Sequence, residues 1–425
     1  MNLAHLSQKL FRSTSKEDAS LFFISIIFLG LVTDRGILSI GMISMIVYIF
    51  FRSQWPLAFK NLFYRKELLA ITLIFFVYAL SGFYSENLPL LSERLRIKLP
   101  FLLLPLVFAQ LKPYSKKQFT TILYLYLGII SLAGLGVLIN YFIFFQEITE
   151  SFKYGKSIPT PYSHIRFSLF VVFGFFVGLE LLRSRITLKF PWERKLVLVL
   201  TVFLFFLPHV LAVRSGLLAL YLASIFWVIS YFIRKRQLTV GILLTMLIIS
   251  LPFIAYKVIP TFNKKIDYMI YDLKMMSSGT KQEYSDTQRL LSIKVGWELI
   301  KENVWWGVGS GDVRPVVIDY YKQHYPEIKT DHNRKSPHNQ FVTTWLANGI
   351  FGLFAFTIFL LYPLFINRNY KFLLMSCFYI IILSSLMTEN TLEVQLGVGF
   401  YLAVVLPLLN YLYKNDQTIG SDHSI

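Results

Sequence analysis

The run SPHNQFVTTWLANGIFGLFAFTIFLLYPLF (residues 336–365) joins a polar turn to a long apolar stretch. A membrane-spanning helix needs about 20 mostly apolar residues. The segment 338–366 therefore reads as a span whose entrance carries reactive side chains. Ser336 is placed to cap that helix and Pro337 suits its first position. His338 then falls in the first turn, beside uncapped N–H groups and the positive end of the helix dipole. An imidazole there can serve as a general base, and a helix start also attracts phosphate oxygens. The other reading is an interfacial histidine that only snorkels toward water. Deeper in the run, Ala347, Gly349, Gly352 and Ala355 leave room for another helix to approach.

Composition extends this reading to the whole chain. Of 425 residues, 55% are hydrophobic and 16% charged, against roughly 45–50% and 25% in soluble domains. Mean hydropathy is +0.55. The fold expected is all-α: a polytopic integral membrane protein of about twelve transmembrane helices with one large, mostly helical external loop. The apolar segments lie near 21–33, 36–52, 67–84, 98–111, 119–146, 165–182, 195–212, 215–233, 238–256, 338–366, 372–388 and 394–413. The first two are joined only by Asp34-Arg35, as in a hairpin. Residues 1–256 would hold nine spans, 257–337 an external lobe, and 338–425 three spans and a tail.

The net charge of +18 would suggest nucleic acid in a soluble protein. Here the basic residues act first as orientation signals. With the N-terminus in the cytoplasm, inside segments hold 21 Lys and Arg, short outside loops hold 8, and 257–337 holds 13. That imbalance puts both termini in the cytoplasm and 257–337 outside. The polar residues 1–20 carry no small-residue cleavage site after the first apolar run, so 21–32 reads as a retained span. Cys377 is the one cysteine, which excludes a disulfide framework and a thiolate metal site.

A loop as long as 257–337 should fold. Its second half reads as a helix capped by Asp286, with Leu291, Val295 and Leu299 in one apolar row and Ile293, Trp297 and Ile300 in another. Arg289 stands one turn before Ile293 and so points toward the protein. Gly307-Val308-Gly309-Ser310-Gly311 imitates a phosphate loop, but it follows a helix and reads better as a helix stop and turn. His324, Asp331, His332 and His338 match no metal-ligand spacing, and neither metal nor cofactor is expected.

Arg214, in Val213-Arg214-Ser215-Gly216, sits between two apolar runs at the outer boundary, either functional or a lipid-headgroup anchor. Arg166, with His164 nearby, invites the same two readings. Glu389 and Glu393 flank the entry to the last span, as solvated acids or as partners for a sugar hydroxyl or a basic group. Arginine suits a diphosphate because its planar fork makes paired bonds and keeps its charge.

Four pieces in order carry a resemblance: Val213-Arg214-Ser215-Gly216-Leu217-Leu218, Arg289 leading to Trp305-Trp306-Gly307-Val308-Gly309, Pro337-His338-Asn339, and Gly349-Ile350-Phe351-Gly352. Over roughly residues 160–400 the chain resembles the O-antigen ligase and polymerase superfamily of the bacterial envelope. The resemblance implies a metal-independent, inverting glycosyltransferase at the periplasmic face of the inner membrane. It would move a glycan from undecaprenyl diphosphate to an acceptor hydroxyl, the lipid A core in the ligases. His338 would be the base and Arg214 and Arg289 would bind the diphosphate, with Asn339, Arg166, His164, Glu389 and Glu393 as supporting residues. A polymerase joining carrier-linked repeat units, or a protein O-oligosaccharyltransferase, is the alternative within the superfamily. A transporter or flippase of a lipid-linked glycan would instead place charges at mid-membrane depth, where the apolar runs have few.

Overall fold

Asp34 turns the chain between its first two helices, α1 (Lys16–Val32) and α2 (Arg35–Phe51), by accepting the Gly36 amide at 2.6 Å. The two pack as the expected hairpin, so closely that a Cβ on Gly30 would come within 2.3 Å of the Leu38 nitrogen. The computed structural model describes residues 15–152, 156–184, 190, 192–277 and 285–421. Residues 1–14 and Lys153 lie outside these, as does the side chain of Asp286 and with it the expected cap.

Every described element is helical. After a bend of 113°, α2 leads into α3 (Trp55–Tyr64), then α4 (Lys66–Leu80). The expected span 98–111 is not one helix. α5 (Leu88–Lys98) stops at Leu99, and Pro100 opens a nine-residue α6 (Pro100–Phe108), since proline suits a first turn and not a helix interior. α7 (Lys116–Ile143) starts at a capping box of Ser115 and Gln118. There follow α8 (Phe145–Ser151), α9 (His164–Ser184), α10 (Glu193–Leu211), α11 (Arg214–Arg234) and α12 (Leu238–Val258). α13 (Pro260–Ser277), α14 (Ser285–Glu302) and α15 (Val313–His324) make the lobe. α16 (Gln340–Phe365), α17 (Leu373–Thr388) and α18 (Gln395–Ser421) close the chain.

Among the described residues, eight helices are long and apolar enough to cross a membrane, or nine if the bent pair α2 and α3 counts as one span. This is a polytopic membrane protein. α9 and α18 are the most enclosed of these helices and α12 the least, with Ile242, Leu243, Met246 and Phe253 exposed along it. A row of that kind suits contact with lipid, not water. A second, separate core under the lobe joins Val295 and Leu299 of α14, Val317 and Tyr321 of α15, and Val342 and Leu346 of α16. The apolar row Leu291, Val295 and Leu299 thus faces inward as expected, whereas Trp297 of the other row is exposed.

α16 breaks at Gly349, whose φ is 65° and ψ −170°. Ile350 N donates to Val304 O (2.9 Å), so the Leu346 and Ala347 carbonyls are left to accept from Val308 N (2.8 Å) and Gly309 N (2.9 Å). The Trp305–Gly309 turn therefore lies along the break and satisfies it. A Cβ on Gly349 would sit 1.9 Å from the Trp305 carbonyl oxygen. Gly349 makes room for this loop and not, as expected, for another helix. The glycine run that imitated a phosphate loop is its other half.

Candidate active site

His338 does not occupy the first turn of α16. Asn339 is the cap, its Oδ1 accepting from Phe341 N (2.9 Å) and Val342 N (3.1 Å), and the helix begins at Gln340. Asn339 outcompetes Ser336 because its carbonyl reaches two amides at once. His338 is thus held just outside the helix, and the dipole argument for it falls away.

Other bonds fix it instead. Its backbone N–H donates to Ser292 Oγ (3.1 Å) on α14, and Ser292 Oγ donates to the Arg289 carbonyl (2.7 Å) one turn earlier. On the far side, Asn390 Nδ2 donates to the Pro337 carbonyl (2.6 Å) and Asn339 Nδ2 to the Met387 carbonyl (3.1 Å). The segment 337–339 is thereby tied both to the helix that carries Arg289 and to the turn that carries Glu389.

Glu389 completes the arrangement. Its Oε1 accepts from Arg289 Nη2 at 2.6 Å, and its Oε2 stands 3.5 Å from His338 Nδ1. Burial alone would push its carboxyl up, but the contact with His338 and the charge of Arg289 outweigh that and hold it below the usual carboxylate range. Arg166 adds to this effect from behind. A carboxylate on Nδ1 selects the tautomer and leaves Nε2 as the nitrogen able to take a proton.

Arg289 and His338 share the wall of a cavity of about 830 Å³ with Arg214, His164 and Lys265. Arg214 is the first residue of α11, so its guanidinium and that helix's start add positive potential at one place. Lys156 and Lys335 also line the cavity, and among the described residues no Asp or Glu does. Such a chamber suits a multiply charged anion.

The structure brings Arg214, Arg289, His338 and His164 to one cavity. Glu389 stands directly behind the second and third of these. Arg166 is near Glu389 but does not line the cavity, and Asn339 acts as a cap. Glu393 is elsewhere. It is buried against Lys98 Nζ (2.8 Å), Tyr78 Oη (2.5 Å) and Gln340 Nε2 (2.8 Å). The four residues considered as a metal set separate: His324 stacks on Tyr320 at 4.0 Å, Asp331 pairs with Arg334, and only His332 and His338 reach the cavity. Two contributors escaped the sequence reading. Lys265 lies on a helix with no motif, and Ser292 betrays itself only by its place one turn after Arg289.

Residues 196–357 match the family model described as O-antigen ligase. This match, over less than half of the chain, supports the resemblance to the O-antigen ligase and polymerase superfamily. This superfamily is of membrane glycosyltransferase type, with a lipid-linked glycan and an acceptor as its general substrates. The superfamily match runs from α10 into α16 and so takes in Arg214, Lys265, Arg289 and His338, while His164, Arg166 and Glu389 fall outside it. No curated protein matches the chain.

Proposed function

We propose that this protein transfers a glycan from undecaprenyl diphosphate to an acceptor hydroxyl, as an O-antigen ligase does with the lipid A core, at the periplasmic face of the inner membrane. The observation that supports it most directly is the chain Arg289–Glu389–His338, whose two ends line a cavity with cations and no acids among its described residues. In this reading the acceptor oxygen attacks the anomeric carbon and its proton passes to His338 Nε2. The bond from that carbon to the diphosphate oxygen breaks, and the oxygen keeps the electron pair. Arg214 and Arg289 stabilise the charge as it grows, which is where pre-placed guanidinium groups help most. Attack opposite the leaving group inverts the anomeric centre. Glu389 orients the imidazole and stabilises it once protonated.

The test is reconstitution of the full chain with a defined undecaprenyl diphosphate glycan and either lipid A core or a second donor molecule as acceptor. Product on lipid A core alone supports the ligase reading. Chain growth on the second donor shifts the assignment to a polymerase with the same base and clamp. Absence of any new glycosidic bond from folded protein defeats both.

A further inference from the structure

Beside the charged cavity lies a second one of about 510 Å³, between the C-terminal halves of α1 and α7. Leu29, Val32, Ile129, Ala133, Gly136 and Val137 line it, and it shares Pro159 and Thr160 with the charged cavity. Leu29 and Leu132 are themselves exposed on the outside of the bundle, so the groove is open to its surroundings. A Cβ on Gly136 would meet nothing within 4 Å, which means that the groove is empty there.

The junction between the two is the segment from Ser157 to Pro161. Lys265 of α13 reaches it, its ammonium donating to Ser157 Oγ at 2.6 Å, two residues from the shared wall. Arg289 and His338 are tied instead to Glu389, on the turn after α17. Burial brings the Lys265 ammonium down to about 8, and the nearby Arg214 pushes the same way. An incoming phosphate would favour its charged form.

A polyprenyl diphosphate has a fixed order: apolar tail, lipid-bearing phosphate, second phosphate, sugar. The molecule offers a matching order of apolar groove, ammonium, guanidinium groups and imidazole. We infer that Lys265 binds the phosphate that carries the lipid, with the isoprenoid tail in the groove between α1 and α7. This rests on the proposed lipid diphosphate donor and fixes which way round that donor lies. The tail is the occupant because the groove is apolar, opens on the flank of the bundle and is continuous with a cationic chamber. A peptide or a second copy of the chain would have no use for that continuity.

The test uses the purified full chain and two glycan-free probes, undecaprenyl phosphate and undecaprenyl diphosphate, with binding measured directly. Lys265→Ala should weaken both at least tenfold, and Lys265→Arg should restore most of the loss. Arg289→Ala should weaken the diphosphate more than the monophosphate. Gly136→Phe, which fills open space and so should fold, should weaken both lipids while leaving inorganic pyrophosphate binding unchanged. Unaltered binding of the monophosphate by Lys265→Ala, or of both lipids by Gly136→Phe, overturns the assignment. Failure of the unsubstituted protein to bind either lipid does so as well. These outcomes are separate from the transfer assay: binding in this pattern with no glycosidic product would defeat the enzyme reading alone.

Discussion

Glu389 and Glu393 stand four residues apart on the turn between α17 and α18, and they live in opposite surroundings. Glu389 meets Arg289 and His338, whose side chains keep 30% and 26% of their exposure toward the cavity. Glu393 meets Lys98, which keeps none, and its Oε1 also accepts from Tyr78 and Gln340. Gln340 in turn accepts from Leu392 N at 3.0 Å, so this second acid locks the turn to the start of α16. One acid presents groups that can still reach a ligand. The other is consumed in holding the backbone that presents them.

Four substitutions and titrations can break this contrast. The largest effect should be on turnover: His338→Ala should cut glycan transfer by about 100- to 10,000-fold with little change in melting temperature. Next comes Glu393→Ala, which strands a buried ammonium and should cost about 3–5 kcal/mol of stability, read by thermal melting. Replacing both members, Lys98→Met with Glu393→Leu, should recover much of it, because a well-packed apolar pair avoids the desolvation cost. Equal stability of the single and double variants would mean that the pair is not a unit. Smaller again is Arg289→Lys, expected to lose about tenfold or more in transfer because an ammonium cannot reproduce a forked contact; full activity would remove Arg289 from the site.

The smallest effect is on pH. Burial opposes ionisation of Glu393, but Lys98 and Arg94 overcome it and hold the carboxyl down at about 2. Its folded value is below the unfolded one of about 4.3. The stability it contributes is therefore complete above that value and lost as pH falls toward 2. Glu389 is depressed in the same direction, so its loss should appear first as an acid limb in transfer rate and not in unfolding. Coincident acid limbs in rate and unfolding would erase the distinction between the two acids.

Much of the site could be read from the chain because its chemistry is concentrated in rare residues at apolar boundaries. Arg214 and His338 stand out as polar groups where hydrocarbon begins, and Arg289 as a cation on the protein-facing row of an external helix. The capping of α16 could not be read so well, since Ser336 and Asn339 are both good caps and only the reach of one side chain decides between them. Nor could the separation of the two acids, which depends on Lys98 and Tyr78, some 300 residues away in sequence. The span expected over 98–111 failed because hydropathy does not register what Pro100 does to a backbone. Lys265 stayed hidden because a lysine on an external helix is ordinary until the fold turns it inward.

The break at Gly349 has a consequence for height. Below it, residues 350–365 are about 24 Å long at 1.5 Å per residue, short of a hydrocarbon layer of about 30 Å. Trp305, Trp306 and Phe351 cluster at the break and are exposed, the amphipathic belt that settles at the edge of lipid. From there up to the start of the helix at Gln340 the rise is about 14 Å along the axis, and His338 stands above that, beyond a headgroup layer of about 5–8 Å. In the proposed reaction an imidazole at that height would meet the sugars nearest the anchor of a membrane-bound acceptor, and a freely diffusing glycan would have to descend to the membrane surface to meet it.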